Sequence, residues 1–272
     1  MNACTNELKE LPPLSSSARE ILKIINNDDA DISHFSQVVE RDPALLSRII
    51  GLANSAFYGT RTVTDARRAI IDVLGFRTAK NIVLGIVLGG IFNPRLCKSF
   101  DLSKYWFVSL MTATFAREIT VGLKMSASDA SNAYLSGMLN EIGLMALAYL
   151  YPVEMAKIFE DDIPVYEGEN HVFGQDHYEI SAGFLHDWQL PDIIINVMLE
   201  SSQNTTRDCG QLCHIVSIAH RMADKIYENE AIDLNELSLP DIIADQPQII
   251  DSIIEKASGQ VETYRELADL LS

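Results

Sequence analysis

Six histidines, four cysteines and 38 acidic residues are the chain's stock of catalytic or metal-ligating side chains, and few stand at a spacing that does chemistry alone. Cys209, Cys213 and His214 come nearest to a metal run, yet the spacing is neither a zinc knuckle nor a haem-attachment motif. They read as buried thiols on one helix face. His186-Asp187 is a His-Asp dipeptide, but it precedes Trp188 and Leu190-Pro191, which suits a surface position at a helix end. No glycine-rich loop of the phosphate-cradling kind is present. The pair Asn140-Glu141, inside the apolar stretch LSGMLNEIGLMALAYL, is the polar interruption that stands out most.

The elements that must position these residues are helices. Ser15 to Asn27 carries Ala18, Ile21, Leu22 and Ile25 at helical spacing behind a serine cap. A second helix is expected from Ile32 to Glu40. Asp42-Pro43 then starts a third, to about Ala53, with Asp as cap and Pro where its missing N–H costs nothing. Asn54 to Thr60 reads as a turn in which the Asn54 amide can bond free backbone groups, followed by Ser55. Thr64 is expected to cap the next helix, and Gly75 offers a positive φ before a helix over Thr78–Phe92. Gly85 and Gly89 in that helix predict close packing of a neighbour. Asp42, Pro43, Asn54, Ser55 and Gly75 are accordingly structural.

Asn93-Pro94 breaks the pattern and coincides with a change of charge. Residues 1–98 hold 12 Lys+Arg against 10 Asp+Glu, and residues 99–272 hold 9 against 28. Two units, 1–94 and 95–272, are expected. Beyond the break the spacing predicts helices at Leu102–Val121, Ser128–Leu150, Pro152–Phe159, Gln175–Leu185, Pro191–Ser201, Asp208–Tyr227 and Leu239–Lys256, and a last one to Leu270. Asp161–Gly174 reads as a polar connection. No segment alternates with period two, so the fold class is all-α. The longest apolar run, Ile82 to Phe92, is 11 residues, too short to span a bilayer. The N-terminus is unlike a signal peptide, and four irregularly spaced cysteines suggest reduced thiols in the cytoplasm. A net charge of −17 argues against nucleic acid as partner; the cluster Arg61, Arg67, Arg68, Arg77 and Lys80 reads as a solvated face.

The segments LPPLSSSAREIL, VVERDPALLSRIIGLANSAFYG and RRAIIDVLGFRTAKNIVLG, with Leu11-Pro12, Asp42-Pro43, Ala53-Asn54-Ser55 and Leu74-Gly75 in order, resemble the opening of HDOD domains. These are the HD-related output domains of bacterial signalling proteins, a branch of the HD phosphohydrolase superfamily. The likeness continues through YWFVSLMTATFAREI, SGMLNEIGLMAL, FGQDHYEISAGFLHDWQLPDII and HIVSIAHRMADKI, covering roughly residues 11 to 227. It implies an HD-like multi-helical fold with an N-terminal helical subdomain.

HD phosphohydrolases hold a divalent cation with histidines and aspartates from several helices, and the resemblance allows an audit. Val108, with no donor atom, stands at the first histidine; Asn140-Glu141 replaces His-Asp; Glu200-Ser201 falls at a His-His pair; His220 replaces the closing Asp. An amide oxygen is a poor substitute for imidazole. The expectation is therefore a pseudo-enzyme without metal or cofactor. Glu141, Glu200 and His220 would converge if the helices pack as in HD domains, with His177 nearby and Arg117 and Arg221 on the relevant helices. Three roles stay open for such a remnant: a hydrogen-bonded strut, a small-ligand pocket or a weak metal site. The resemblance implies a non-catalytic regulatory module that acts through a protein partner; the alternative is a divergent metal-dependent phosphohydrolase acting on a nucleotide or cyclic dinucleotide. A nucleotide sensor without turnover is a third reading. No receiver, GGDEF or EAL segment is recognised, so the input is expected from a separate chain or a ligand.

Overall fold

The computed structural model describes residues 14–25, 31–58, 62–202, 209–233 and 241–272, among which there is no strand. Leu11-Pro12 and Arg61 lie outside the described residues. The first three helices among the described residues are α1 (Ser16–Ile25), α2 (Ile32–Glu40) and α3 (Pro43–Ala53). Their starts follow from local chemistry. The Ser15 Oγ accepts from Ala18 N, Asp31 caps α2, and Asp42 accepts from the N–H groups of Ala44 and Leu45 at 3.1 Å, with Pro43 in the first turn. At the C-cap of α3, Asn54 pairs both ways with Val63: its Nδ2 donates to the carbonyl at 2.9 Å and its Oδ1 accepts the N–H at 2.7 Å. Ser55 donates to Leu52 O. The cap of α4 (Ala66–Arg68) is Asp65, not Thr64, because the Asp65 carboxylate reaches Arg68 N. A π-helical turn, Ala69–Leu74, leads to Gly75 at φ +76° and then α5 (Phe76–Gly89).

After a 3₁₀ turn at Pro94–Leu96 comes the central α6 (Leu102–Gly122), apolar on nearly every side and mostly buried. It packs on α7 (Ala127–Leu139), on α13 (Gln211–Tyr227) and on the C-terminal α15 (Pro247–Ser258) and α16 (Val261–Leu271). Between them lie α8 (Ile142–Leu150), α9 (Pro152–Glu160), α10 (Val165–Phe173), α11 (His177–Asp187) and α12 (Asp192–Ser201); α14 (Asp241–Ala244) is short. One buried core runs from Ile21 to Leu271. Gly85 and Gly89 admit neighbours closely: a Cβ at either would meet Met138 of α7 or Trp106 of α6. Phe92 packs on Phe184, and Tyr264 of α16 touches both Phe57 and Phe107. No single helix among the described residues is long and apolar enough to cross a membrane.

Four further expectations need correction. Ser128–Leu150 is not one helix; it breaks at Asn140-Glu141 into α7 and α8. Asp161–Gly174 is not merely a connection, since it contains α10, entered after Pro164 and closed by Gly174 at φ +72°. Its buried face (Gly168, Glu169, Phe173) includes a charged residue, which hid the helical pattern. Leu239–Lys256 divides at Pro247, which opens α15. Finally, Cys209 and Cys213 are joined in a disulfide rather than free, because Cys209 lies just before α13 and its Cα comes within 5.6 Å of Cys213. Cys97 is free and buried.

Candidate functional site

The break at Asn140-Glu141 is made possible by glycines on both sides. A Cβ on Gly137 would stand 2.8 Å from the Ala113 backbone of α6, and one on Gly143 would collide with the His177 carbonyl of α11. Gly143 N donates instead to Ser181 Oγ at 2.8 Å. The two helices are thus wedged against α6 and α11, and Glu141 is delivered to a pocket of about 400 Å³. Tyr105 and Lys104 of α6, Leu144 of α8, His177 of α11, and His220 and Asp224 of α13 line it, with Asp101, Phe100 and Phe159 toward the rim.

Charges inside this pocket face each other. His220 Nε2 lies 3.4 Å from Glu141 Oε1, both largely shielded. Lys104 Nζ contacts Glu228 at 2.5 Å and Asp224 at 3.2 Å. Burial alone would depress the Lys104 pKa, but those carboxylates outweigh it and hold it above the ordinary value. Tyr227 donates to Asp101 at 2.9 Å.

Deeper, Glu169 of α10 is fully buried, and its Oε2 meets both the backbone N–H and the Nδ1 of His177, at 3.0 and 2.6 Å. Burial pushes the His177 pKa down, but Glu169, with smaller help from Glu141 and Asp176, raises it overall. A carboxylate on Nδ1 fixes the tautomer and leaves Nε2 as the second, buried ring nitrogen. That nitrogen has no hydrogen-bond partner. Such a dyad can hold or release a proton at Nε2.

The expected convergence is only partly found. Glu141, His220 and His177 come together. Glu200 does not join them; its Oε2 accepts Gly210 N at 2.9 Å, bracing the entry to α13. Ser201 donates to Val197 O within its own helix. Val108 is buried on α6. Asn140 is buried at the end of α7 and hydrogen-bonds the Tyr178 hydroxyl. Arg117 and Arg221 are not among the lining residues, since each projects from another face of its helix. His186-Asp187 is an exposed contact at the end of α11. Lys104, Glu169 and Asp224 escaped sequence reasoning; only the reading of 161–174 as a helix would have exposed Glu169.

The residues do not fit the cation that HD phosphohydrolases hold. Val108 offers no donor, the Asn140 amide is engaged with Tyr178, and Glu200 with Gly210. Among the described residues no group of three or more His, Cys, Asp or Glu side chains is placed to hold a metal ion.

The HDOD domain model matches residues 11–204, most of the chain. The chain belongs to the HDOD domain family. A relative from Treponema pallidum (strain Nichols), an uncharacterised protein, is 26% identical over 201 residues, 71% of this chain and 38% of the relative. The chain thus spans under two-fifths of the curated relative it matches. Among solved structures, an HDOD domain protein of unknown function from Geobacter sulfurreducens superposes with a TM-score of 0.77 at 19% identity, over 99% of this chain and 96% of that one. A provisionally named phosphohydrolase from Shewanella amazonensis SB2B gives 0.77 at 21% identity, covering 100% and 99%. A provisionally named signal transduction protein from Marinobacter aquaeolei VT8 gives 0.73 at 22%, covering 100% and 62%. At these identities the likeness is one of fold, and the all-helical HDOD architecture is shared.

Proposed function

We propose that this HDOD protein is a non-catalytic regulatory module of bacterial signal transduction, acting through contact with a protein partner. The observation that supports the reading is what stands at the positions that the resemblance aligns with metal ligands. An apolar side chain, an amide bound to a tyrosine and a helix-bracing carboxylate occupy three of them. The remaining Glu141 and His220 form a pair that struts α8 to α13. Hydrolysis in the superfamily needs an ion that lowers the pKa of water, and this donor set is built to hold the fold. The acidic stretch 99–272 favours a basic or mixed-charge face on the partner.

The second reading is a divergent metal-dependent phosphohydrolase acting on a nucleotide or cyclic dinucleotide. It is favoured by one observation, the unpartnered Nε2 of His177 beside Glu141 and His220. Elemental analysis by ICP-MS on untagged protein, with hydrolysis assays on cyclic di-GMP, separates the two. The regulatory reading expects substoichiometric metal, no turnover and retention of a partner in pull-down. One equivalent of Fe, Mn or Zn that is lost in Glu141→Ala or His220→Ala would overturn it.

A further inference from the structure

We propose that a second concave surface, the cleft where α5, α6, α7 and α15 meet, binds a small organic phosphate. It lies apart from the Glu141–His220 pocket, shares no lining residue with it, and stands independently of the regulatory reading. Two cavities adjoin there through Arg117 and Val121, which line both. The narrower, about 170 Å³, is bounded by Arg77 and Asn81 of α5 and by the first two turns of α7. The wider, about 480 Å³, runs along α15 past Ile249 and Ile253 to Lys256.

The charge of this surface opposes that of the molecule. Arg77, Arg117 and Lys256 line it against a single acidic residue, Glu118, on a chain of net charge −17. Three cations therefore gather on one surface of an acidic chain. Arg117 makes no hydrogen bond or ion pair with any described residue, unlike the charged groups of the first pocket. Arg77 spends one N–H on the Ala127 carbonyl at 2.8 Å, which fixes its guanidinium at the mouth and leaves its other donors available. Lys256 approaches Glu118 only loosely, at 3.8 Å.

Planar guanidinium forks match the oxygens of a phosphate group in bidentate geometry, and two arginines on one small cavity suit a doubly charged monoester. The phosphate would sit in the narrower cavity between Arg77 and Arg117. Its organic body would lie along Val121, which is 58% exposed, and the apolar side chains of Ile249 and Ile253. A ligand held there touches α5, the central α6 and α15 together, so it ties the N-terminal helices to the C-terminal ones.

The test is calorimetric titration of the full chain with phenyl phosphate and with inorganic phosphate, in low-salt buffer free of phosphate. The expected result is saturable binding of phenyl phosphate, weaker binding of inorganic phosphate and loss of affinity as salt is raised. Arg117→Ala should weaken phenyl phosphate roughly 10- to 100-fold, with Arg117→Lys between the two. Val121→Asp should abolish the preference for phenyl phosphate, and Arg95→Ala, an exposed cation outside the cleft, should leave the affinity unchanged. Absence of binding by both probes, equal binding by Arg117→Ala, or an equal loss on Arg95→Ala would overturn the proposal. Arg117 is exposed, so its replacement leaves the core intact.

Discussion

In the pocket beneath the α7–α8 break, Glu141 faces His220, Glu169 holds His177, and Lys104 is caught between Asp224 and Glu228. In the cleft at α15, Arg117 has no such partner, and Arg77 is held by one backbone carbonyl. Both are concave and both carry ionisable groups, yet they treat charge oppositely. Groups that satisfy one another fasten helices together, and their removal is felt as lost stability. Cations paired only with solvent on a concave surface are felt chiefly when something binds. The difference separates a pocket whose charges are mostly paired from a cleft whose cations are mostly open to solvent, although the family resemblance draws attention only to the first.

The contrast can be broken most easily at Glu169. Glu169→Ala leaves the buried His177 without its carboxylate, and about 3–5 kcal/mol of stability should go with it, a fall in Tm of about 10 °C. A thermal melt within a degree of the parent would show that the dyad is no strut. Gly143→Ala comes next. Its methyl group meets the His177 backbone carbonyl, which cannot swing away, so α8 and α11 must separate at a cost of about 1–3 kcal/mol, read as a lower denaturant midpoint.

The third test uses pH. His177 is raised in the fold above its ordinary value of 6.5, so the folded state binds its proton more tightly than the unfolded chain. The stabilisation is full below about 6.5 and is lost as pH rises through the folded value. Melting curves from pH 5 to 9 should therefore show a decline in the parent that His177→Gln lacks. The smallest effect is expected at Glu141→Gln, where a pair at 3.4 Å that keeps some solvent contact is worth about 1 kcal/mol or less. A much larger loss there would move the principal strut from α10–α11 to α8–α13.

Much of the fold was legible because helix signals are local. Asp42-Pro43, Gly75 and the stripe of Ala18, Ile21 and Leu22 each act within a turn or two of chain, and the corresponding elements stand where these residues place them. Less legible was the break in Ser128–Leu150, where nothing local forbids a continuous helix. Gly137 and Gly143 are tolerated in helices, and only the approach of α6 and α11 gives them their purpose. The α10 segment was missed for a related reason. A glutamate on its inner face reads as solvent-exposed until a histidine eight residues later is seen to pair with it.

The amino-acid sequence by itself determined that this chain is helical and that it belongs with HDOD domains. Those properties reside in residue types and short spacings. Tertiary structure alone decided that Glu200 braces a helix while Glu141 enters the pocket, that His177 is oriented by Glu169, and that Arg117 turns away toward α15. The face a helix shows to its neighbours depends on how its whole surface packs, and residues more than a hundred positions apart, such as Arg117 and Lys256, share a cleft only once that packing is complete.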